Sequence, residues 1–158
     1  MVQFKISALG GTFDIIHRGH VELLRKSFSM SSKVIIGLTS DEFAQKRGKH
    51  PANSYQNRYA TLVKTIKENF PDVIYEISKL ENDFGPAVLE KDVEALILSD
   101  ETSRKGEELN RLRKERNIPQ VEVVIIPMVL AKDGKRISTT RIKNLEIDSE
   151  GNILDVDK

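Results

Sequence analysis

Residues 2–20 read VQFKISALGGTFDIIHRGH, and within them an apolar run gives way to a glycine-rich turn and then to a helical pattern. The run from Val2 to Leu9 has the composition of a buried strand. After the turn, apolar residues recur at helical spacing at Val21, Leu24 and Phe28. In sheets built from such strand-to-helix units, ligands bind beyond the carboxyl ends of the strands. The turn is therefore expected to carry functional residues.

Further short apolar runs follow, at Val34 to Leu38, Val73 to Ile77, Ala95 to Leu98 and Val121 to Leu130. They mostly lack the alternation of a half-exposed sheet, which favours strands buried on both faces. Helical patterns separate them, including a stripe from Tyr55 to Phe70 and a charged segment from Glu107 to Arg116. The order predicts an α/β fold with one doubly wound, parallel, five-stranded sheet and right-handed crossovers.

The length of 158 residues fits one domain spanning residues 1–158. The chain shows no linker, internal repeat or low-complexity tract. The acidic tail, residues 149–158, is predicted to be loose. Nothing in the sequence specifies an oligomeric state.

Charge and composition exclude several classes of function. The chain has 25 Lys and Arg against 24 Asp and Glu, a net charge of +1, which opposes a nucleic-acid partner. It has no cysteine, so disulfides and thiolate metal sites are ruled out. No stretch has the length of a membrane span or the pattern of a signal peptide, so we expect a soluble, cytoplasmic protein with no membrane partner.

The turn after the first strand has the chemistry of a phosphate site. Gly10 and Gly11 allow close approach of a ligand to the backbone, and a helix start offers N–H groups and a positive dipole end. His17 and His20 are three residues apart, and Gly19 between them leaves room for a base or a phosphate. A single histidine here would more simply be a cap or a core polar group. Two of the chain's three histidines in one turn favour the functional interpretation. The segment is neither a Walker A loop nor a GxGxxG dinucleotide motif.

Two further polar clusters follow strands. Ser138-Thr139-Thr140-Arg141 comes after the last run, where Ser138 is predicted to cap a helix; an ordinary cap is the simpler alternative. The segment 39–50 is predicted to be a loop, and it contains the cations Lys46, Arg47, Lys49 and His50. These could gather a phosphorylated substrate, or they could form a solvated charged surface.

The segment GGTFDIIHRGH, residues 10–20, resembles the GTFD…HxGH signature of the nucleotidyltransferase superfamily, which also includes class I aminoacyl-tRNA synthetases. The chain lacks KMSKS and is too short for a synthetase. The resemblance implies a Rossmann-like fold of the HUP type. It also implies that His20 binds ATP phosphates and stabilises the transition state, that His17 assists, and that Thr12 orients the incoming phosphate. Bacterial members of the family named below often have threonine at the position of His17.

The sequence Ile137 to Arg141 is similar to the element that closes over the triphosphate in these enzymes. In related enzymes a lysine from the loop after the second strand reaches the reacting phosphate. Lys46 is favoured for this role, with Lys49 as the substitute, because the spacing does not choose between them. The implied ATP contacts are Gly10, Gly11, Thr12, Phe13, His17, Gly19, His20, Ser138, Thr139, Thr140 and Arg141.

The segment Ser99 to Gly106, with Asn110 and Arg113, resembles S-x-E-T-x-x-G…N-x-x-R of the archaeal and eukaryotic type of phosphopantetheine adenylyltransferase. Asp83-Phe84-Gly85-Pro86 is similar to an acidic Gly-Pro stretch of that type, and the match extends from the first strand to Ile147. Bacterial enzymes of this activity have an Arg-Gly-x-Arg cluster after the fourth strand, which this chain lacks. The cations that could replace it are Arg104, Lys105, Arg111 and Arg113.

The resemblance implies that ATP and 4′-phosphopantetheine give dephospho-coenzyme A and pyrophosphate by direct in-line attack. Thr12 with Lys46 or Lys49 would hold the attacking phosphate. Mg²⁺ would arrive with ATP and need no carboxylate cage in the protein, so Asp14 is interpreted as a turn residue. The nearest alternatives are a glycerol-phosphate cytidylyltransferase and an FMN adenylyltransferase of the same fold. A non-catalytic nucleotide sensor is disfavoured because none of the phosphate-facing residues is missing.

Overall fold

Five parallel strands form one sheet in the computed structural model, which describes residues 2–85, 90–99, 104–127, 129–135 and 137–154. The strands are β1 (Phe4–Gly11), β2 (Ser31–Thr39), β3 (Tyr75–Leu80), β4 (Val93–Ser99) and β5 (Glu122–Ile126). Their order is β3-β2-β1-β4-β5. The chain therefore builds outward on one side of β1 and then returns to its other side. This is the predicted α/β architecture.

Helices cover both faces of the sheet. They are α1 (Arg18–Met30), α2 (Asp41–Lys46), α3 (Tyr55–Asn69), α4 (Arg104–Glu115) and α5 (Thr139–Lys143). Leu24 of α1 and Leu62 of α3 are fully buried in one apolar cluster, whereas Leu109 of α4 is fully buried in a second. The doubly wound arrangement predicted from the alternating runs is confirmed. None of the helices within the described ranges has the length and apolar character to cross a membrane.

Two strand boundaries differ from the sequence prediction. β5 ends at Ile126 rather than at Leu130, because Pro127 has no N–H with which to continue the ladder. β3 begins later than predicted and extends through Ser78 and Lys79 to Leu80. Since β3 is an edge strand that pairs with β2, its outward positions can be polar.

The segment after β2 is not the loop that the sequence suggested, because it begins with α2. Ser40 caps this helix by accepting a hydrogen bond from the N–H of Phe43 at 3.0 Å. The helix ends at a glycine in the left-handed region, Gly48 (φ 74°), with Gly48 N–H donating to Gln45 O and Lys49 N–H donating to Ala44 O. This Schellman turn separates Lys46, on the helix, from Lys49, beyond it.

The C-terminal residues fold back on the chain as far as they are described. Asp148 N–H donates to Asn152 O and Leu154 N–H donates to Glu146 O, both at 3.0 Å. Lys132 N–H donates to Gly151 O at 2.9 Å, which joins this turn to the segment after β5. The part of the predicted loose tail up to Leu154 is therefore hydrogen-bonded, and residues 155–158 lie outside the described residues.

Arg113, one of the cations proposed to contact phosphate, has a structural position instead. Its guanidinium is fully buried and donates to three main-chain carbonyls, those of Pro119 at 2.7 Å, Glu90 at 3.0 Å and Val93 at 3.1 Å. Val93 is the first residue of β4, so Arg113 lies at the amino end of that strand, opposite to the edge where ligands bind in such sheets. The phosphate interpretation of Arg113 is wrong, because these carbonyls already take its donors.

Replacing Arg113 by methionine should destabilise the fold, because it leaves buried carbonyls without donors. We expect Arg113→Met to lower the free energy of unfolding by about 2–4 kcal/mol. Arg111→Met is the matched control, since Arg111 is exposed on the same helix and pairs with Glu115; its effect should stay within about 0.5 kcal/mol. Urea denaturation of both variants measures the difference. Equal losses would contradict the structural role of Arg113.

Candidate functional site

The candidate site lies where the strand order changes, at the carboxyl ends of β1 and β4. β1 ends at Gly11 and is followed by the turn that leads to α1, while β4 ends at Ser99 and is followed by α4. The connections that follow β1 and β4 pass to opposite faces of the sheet, and the gap between them is where ligands bind in doubly wound folds.

The glycines at the end of β1 allow close packing rather than unusual backbone angles. Neither Gly10 nor Gly11 has a positive φ; Phe13 does, with φ 49°. A Cβ on Gly10 would stand 3.0 Å from Leu80 Cδ1, and one on Gly11 would stand 3.1 Å from the Phe13 ring. Phe13 is 2% exposed, so burial of its ring holds a conformation that costs about 1–2 kcal/mol.

His17 and His20 cap the start of α1 reciprocally. The Nδ1 atom of His17 accepts a hydrogen bond from Gly19 N–H at 3.0 Å, and the Nδ1 atom of His20 accepts one from His17 N–H at 3.1 Å. The two rings are stacked with their centroids 3.9 Å apart. Because each Nδ1 atom is an acceptor, a neutral ring carries its hydrogen on Nε2.

The environment of His20 keeps its imidazole neutral. Burial, followed by the positive charge that His17 can carry, lowers the pKa of His20 from 6.5 to about 3. His20 Nε2 has no hydrogen-bond partner among the described residues. Every fully buried side-chain nitrogen of those residues does have a partner, so Nε2 is not fully buried. His20 thus offers a neutral N–H donor at the candidate site.

The backbone around Gly19 differs from what the sequence suggested. A Cβ on Gly19 would lie 2.8 Å from Cε1 of His17, so the space expected for a base or a phosphate holds the His17 ring. Arg18 N–H donates to Ser149 O at 2.9 Å, and Gly19 N–H is used by His17. The first-turn donors that we expected to face an anion are thus partly satisfied by the protein itself.

Arg58 ties together the segments that border the site. Its buried guanidinium donates to Thr12 O at 2.9 Å, Thr39 O at 2.8 Å and Asn53 O at 3.1 Å, and it pairs with Asp41 Oδ1 at 2.7 Å. Thr12 and Thr39 stand just where β1 and β2 end. The positions of both strand ends therefore depend on one side chain.

Asp14 has more partners than a turn residue needs. Its carboxylate accepts bonds from Ala52 N–H at 2.8 Å and from Asn53 N–H at 3.0 Å, and Lys143 Nζ lies 2.6 Å away. Burial acts to raise the pKa of Asp14, but the bonds from Lys143, Ala52 and Asn53 outweigh it and keep the pKa below its ordinary value. The carboxylate is therefore ionised, and its oxygen atoms already have partners in the protein. Asp14 is thus more than the simple turn residue of the sequence interpretation.

The position of Lys143 in the sequence gave no indication that it would contact Asp14. A carboxylate buried in a strand-to-helix turn requires a compensating partner, which is the one signal that the sequence contained. Nothing in the pattern indicated that the partner would come from a helix near the other end of the chain.

The cluster Ser138 to Arg141 begins α5. Ser138 caps this helix, as predicted, through its Oγ atom, which accepts a hydrogen bond from Arg141 N–H at 3.2 Å. The Arg141 guanidinium pairs with Asp133 and with Glu146, so a phosphate would have to compete with two carboxylates for it. The side chains of Thr139 and Thr140 lie outside the described ones.

Arg47, Lys49 and Lys105 form a basic cluster beside Asp83. Arg47 pairs with Asp83 at 3.0 Å, which joins the α2–α3 connection to the β3–β4 connection. Burial, and then the charge of Arg47, lower the pKa values of both Lys49 and Lys105. Lys46, at the end of α2, is exposed.

The remaining candidate cations are distributed along α4. Arg104 is the exposed first residue of that helix, whereas Arg111 lies two turns further on and pairs with Glu115 at 3.2 Å. The segment 100–103, which contains most of the S-x-E-T motif, and Pro86 lie outside the described residues.

A cavity of about 330 Å³ lies next to the basic cluster. It is bounded by the β3–β4 connection and by α4, and its lining is Asn82, Asp83, Phe84, Gly85, Glu108, Leu112 and Arg116. Its walls include both apolar and polar side chains. The sequence pattern predicted only that Leu112 faces inward, and it gave no sign that Glu108 and Arg116 border a pocket.

A family model described as cytidylyltransferase-like matches residues 8–145. A phosphopantetheine adenylyltransferase of Methanosarcina barkeri is 43% identical over 149 residues, which cover 92% of this chain and 91% of that protein. The protein of the same name from Methanosarcina acetivorans is 41% identical over 147 residues, with coverages of 91% and 92%. A solved structure of a protein of unknown function from Archaeoglobus fulgidus is similar with a TM-score of 0.70 at 26% identity, over 85% of this chain and 100% of that one. The range matched by the family model contains both the β1–α1 turn and α5.

The neutral state of His20 predicts a particular dependence of stability on pH. Between about pH 7 and pH 4.5, the wild-type chain should lose more free energy of unfolding than His20→Asn, whose side-chain oxygen can still accept the bond from His17 N–H. The unfolded chain takes up a proton on His20 near pH 6.5, whereas the folded chain resists it until about pH 3. This adds at most about 1.4 kcal/mol per pH unit to the wild-type slope. Urea titrations over this pH range measure both curves, and parallel curves would show that His20 is not held neutral.

Proposed function

We propose that this chain transfers the AMP moiety of ATP to 4′-phosphopantetheine. The chain belongs to the cytidylyltransferase-like family and, within it, to the phosphopantetheine adenylyltransferases. The products are dephospho-coenzyme A and pyrophosphate, in coenzyme A biosynthesis. The observation that carries the proposal is the accessible Nε2–H of His20, a neutral donor at the edge of the sheet where the strand order changes.

In this reaction a phosphate oxygen of the acceptor attacks the α-phosphorus of ATP. A bond forms between that oxygen and the α-phosphorus, and the bond from the α-phosphorus to the bridging oxygen breaks, so that pyrophosphate leaves. The nucleophile is already an anion, so no general base and no covalent enzyme intermediate are required. The work of the protein is alignment and stabilisation of negative charge.

His20 is proposed to donate from Nε2 to a phosphate oxygen of ATP. A neutral donor suits this role because it forms its strongest bond when negative charge accumulates in the transition state. His17 is proposed to assist by fixing the ring of His20 through the stack and the reciprocal cap. Thr12 is proposed to orient the attacking phosphate; its carbonyl is held by Arg58, which fixes the backbone at that position.

Of the two lysines left open by the sequence, Lys49 is the better supported contact for the acceptor phosphate. Lys49 belongs to the basic cluster with Arg47 and Lys105, whereas Lys46 lies on α2; both lysines are exposed. Clustered cations attract a doubly charged phosphate more strongly than a single exposed lysine does. The adjacent cavity has the mixed lining that an uncharged, amide-containing pantetheine arm requires.

The segment from Ser138 to Arg141 is proposed to contact the triphosphate of ATP, with the backbone of Gly10, Gly11 and Phe13 on the opposite side. Because Arg141 is paired with Asp133 and Glu146, the helix start rather than the guanidinium is the proposed contact. Arg104 and Lys105 are the cations of α4 proposed to replace the bacterial arginine cluster.

Mg²⁺ is proposed to arrive with ATP, held by phosphate oxygens and water. The carboxylate of the β1–α1 turn does not fit a metal ligand, because Asp14 is already bonded to Lys143, Ala52 and Asn53. No step is therefore assigned to a metal bound by protein side chains. We also propose that residues 1–158 act as one domain in the cytoplasm.

The reaction is tested by measuring pyrophosphate release with ATP and with CTP, each against three acceptors. We expect turnover with ATP and 4′-phosphopantetheine, and at least about a hundredfold lower kcat/KM with CTP or with glycerol phosphate or FMN as the acceptor. Preferred turnover of glycerol phosphate with CTP, or of FMN with ATP, would overturn the proposed substrate.

Variants of His20 test its role as a donor. His20→Ala should lower kcat by about 10²–10³, the usual effect of removing one preorganised donor. His20→Gln, whose amide can place an N–H near the Nε2 position, should retain about tenfold more activity than His20→Ala. His20→Asn preserves the cap but not the donor and should resemble His20→Ala. A raised KM for ATP with unchanged kcat in all three would mean that His20 contributes uniform binding instead.

A further inference from the structure

The carboxylate of Asp14 joins parts of the chain that are far apart in sequence. Its side chain is 4% exposed and belongs to the β1–α1 turn. It accepts bonds from the backbone N–H groups of Ala52 and Asn53, between α2 and α3, and from Lys143 Nζ in α5. One buried charge therefore joins three segments: its own turn, the α2–α3 connection and α5.

Each of these segments carries residues proposed to contact a phosphate group. The β1–α1 segment contains Thr12 and His20, the α2–α3 connection contains Lys49, and α5 begins at Ser138. Because α5 is proposed to contact the triphosphate, its placement relative to the other two segments determines how tightly ATP is bound. Asp14 lies at their junction.

We propose that Lys143 is a positioning residue that, through its ion pair with Asp14, holds α5 against the β1–α1 turn so that both face the same triphosphate. This inference rests on the proposed function for the identity of the nucleotide. Lys143 itself is assigned no contact with substrate.

Lys143 is suited to this role because α5 cannot hold itself in place. A helix of five residues is too short to be stable alone. The apolar contacts of this region are made among Ala131, Ile137 and Ile147, with Val129 and Ile142 packed on them, and none of these residues belongs to the β1–α1 turn. Within the part of the chain that the structure describes, a bond from Arg18 N–H to Ser149 O also links these regions.

Removing Lys143 should leave the sheet intact. The carboxylate of Asp14 keeps the N–H groups of Ala52 and Asn53 and the side-chain amide of Asn53 as donors, so it does not become a buried charge without partners. The Lys143 side chain is one-third exposed, and methionine keeps an unbranched apolar chain in its place, so most of its packing is retained. The substitution is therefore expected to act on α5 locally.

Steady-state kinetics of Lys143→Met, Lys143→Arg and Lys67→Met test the proposal. Lys143→Met should raise the KM for ATP about tenfold, change kcat less than about threefold and leave the KM for 4′-phosphopantetheine within about twofold. Lys143→Arg retains the charge and should recover most of the lost affinity. Lys67→Met removes an exposed lysine of α3 and should behave as wild type. An unchanged KM for ATP in Lys143→Met, or an equal loss in the arginine variant, would overturn the proposal.

Hydrogen exchange separates this inference from the proposed reaction. In Lys143→Met, the amides of Ile142, Leu145 and Glu146, which close the turns of α5, should exchange at least about tenfold faster, with β1 and β2 unchanged. If the α5 amides of Lys143→Met exchange at the wild-type rates, the role of Lys143 is overturned, whatever reaction the protein catalyses. Faster exchange in a protein whose wild type does not turn over ATP and 4′-phosphopantetheine would overturn the proposed function while supporting the link between α5 and Asp14.

Discussion

The buried guanidinium of Arg58 is the interaction on which the geometry of the site depends. Polar main-chain groups at the ends of parallel strands have no ladder partner, and they need donors if water is excluded. Arg58 supplies such donors to Thr12 and Thr39 at the ends of β1 and β2 and to Asn53 before α3. Its pair with Asp41 balances the charge, and the hydrogen bond from Arg58 is the main cause of the lowered pKa of Asp41. The edge of the sheet is thereby set before any ligand binds, which is the condition for electrostatic catalysis.

At this edge of the sheet, the two histidines both cap α1 and determine which ring nitrogen of His20 carries the hydrogen. The start of α1 needs acceptors for its N–H groups, and the Nδ1 atoms of His17 and His20 provide them. Using Nδ1 in this way leaves the hydrogen of His20 on Nε2, and burial keeps the ring uncharged. Capping therefore selects the tautomer that can donate to a phosphate. The spacing of the two histidines has a structural reason as well as a chemical one.

Two of the differences between prediction and structure concern buried charges. The sequence suggested a phosphate contact for Arg113 and a turn position for Asp14. In the structure, Arg113 donates to the carbonyls of Glu90 and Val93, and Asp14 pairs with Lys143. Gly19 was correctly recognised as a position that needs space, but the His17 ring occupies that space. A sequence pattern indicates that a charge or a gap must be satisfied. It does not indicate which distant group satisfies it.

The sequence by itself determined the parallel α/β fold, the positions of the long helices, the cap at Ser138 and the concentration of polar chemistry after β1, because these follow from apolar periodicity and from contacts between near neighbours in the chain. Tertiary structure alone decided that Lys143 meets Asp14, that Arg47 meets Asp83, and that a cavity lies between α4 and the β3–β4 connection. These contacts join segments that only chain folding brings together, and many side chains of similar chemistry could have made them. Which residues make these contacts depends on the order of the strands, because that order determines which strand ends and connections lie side by side.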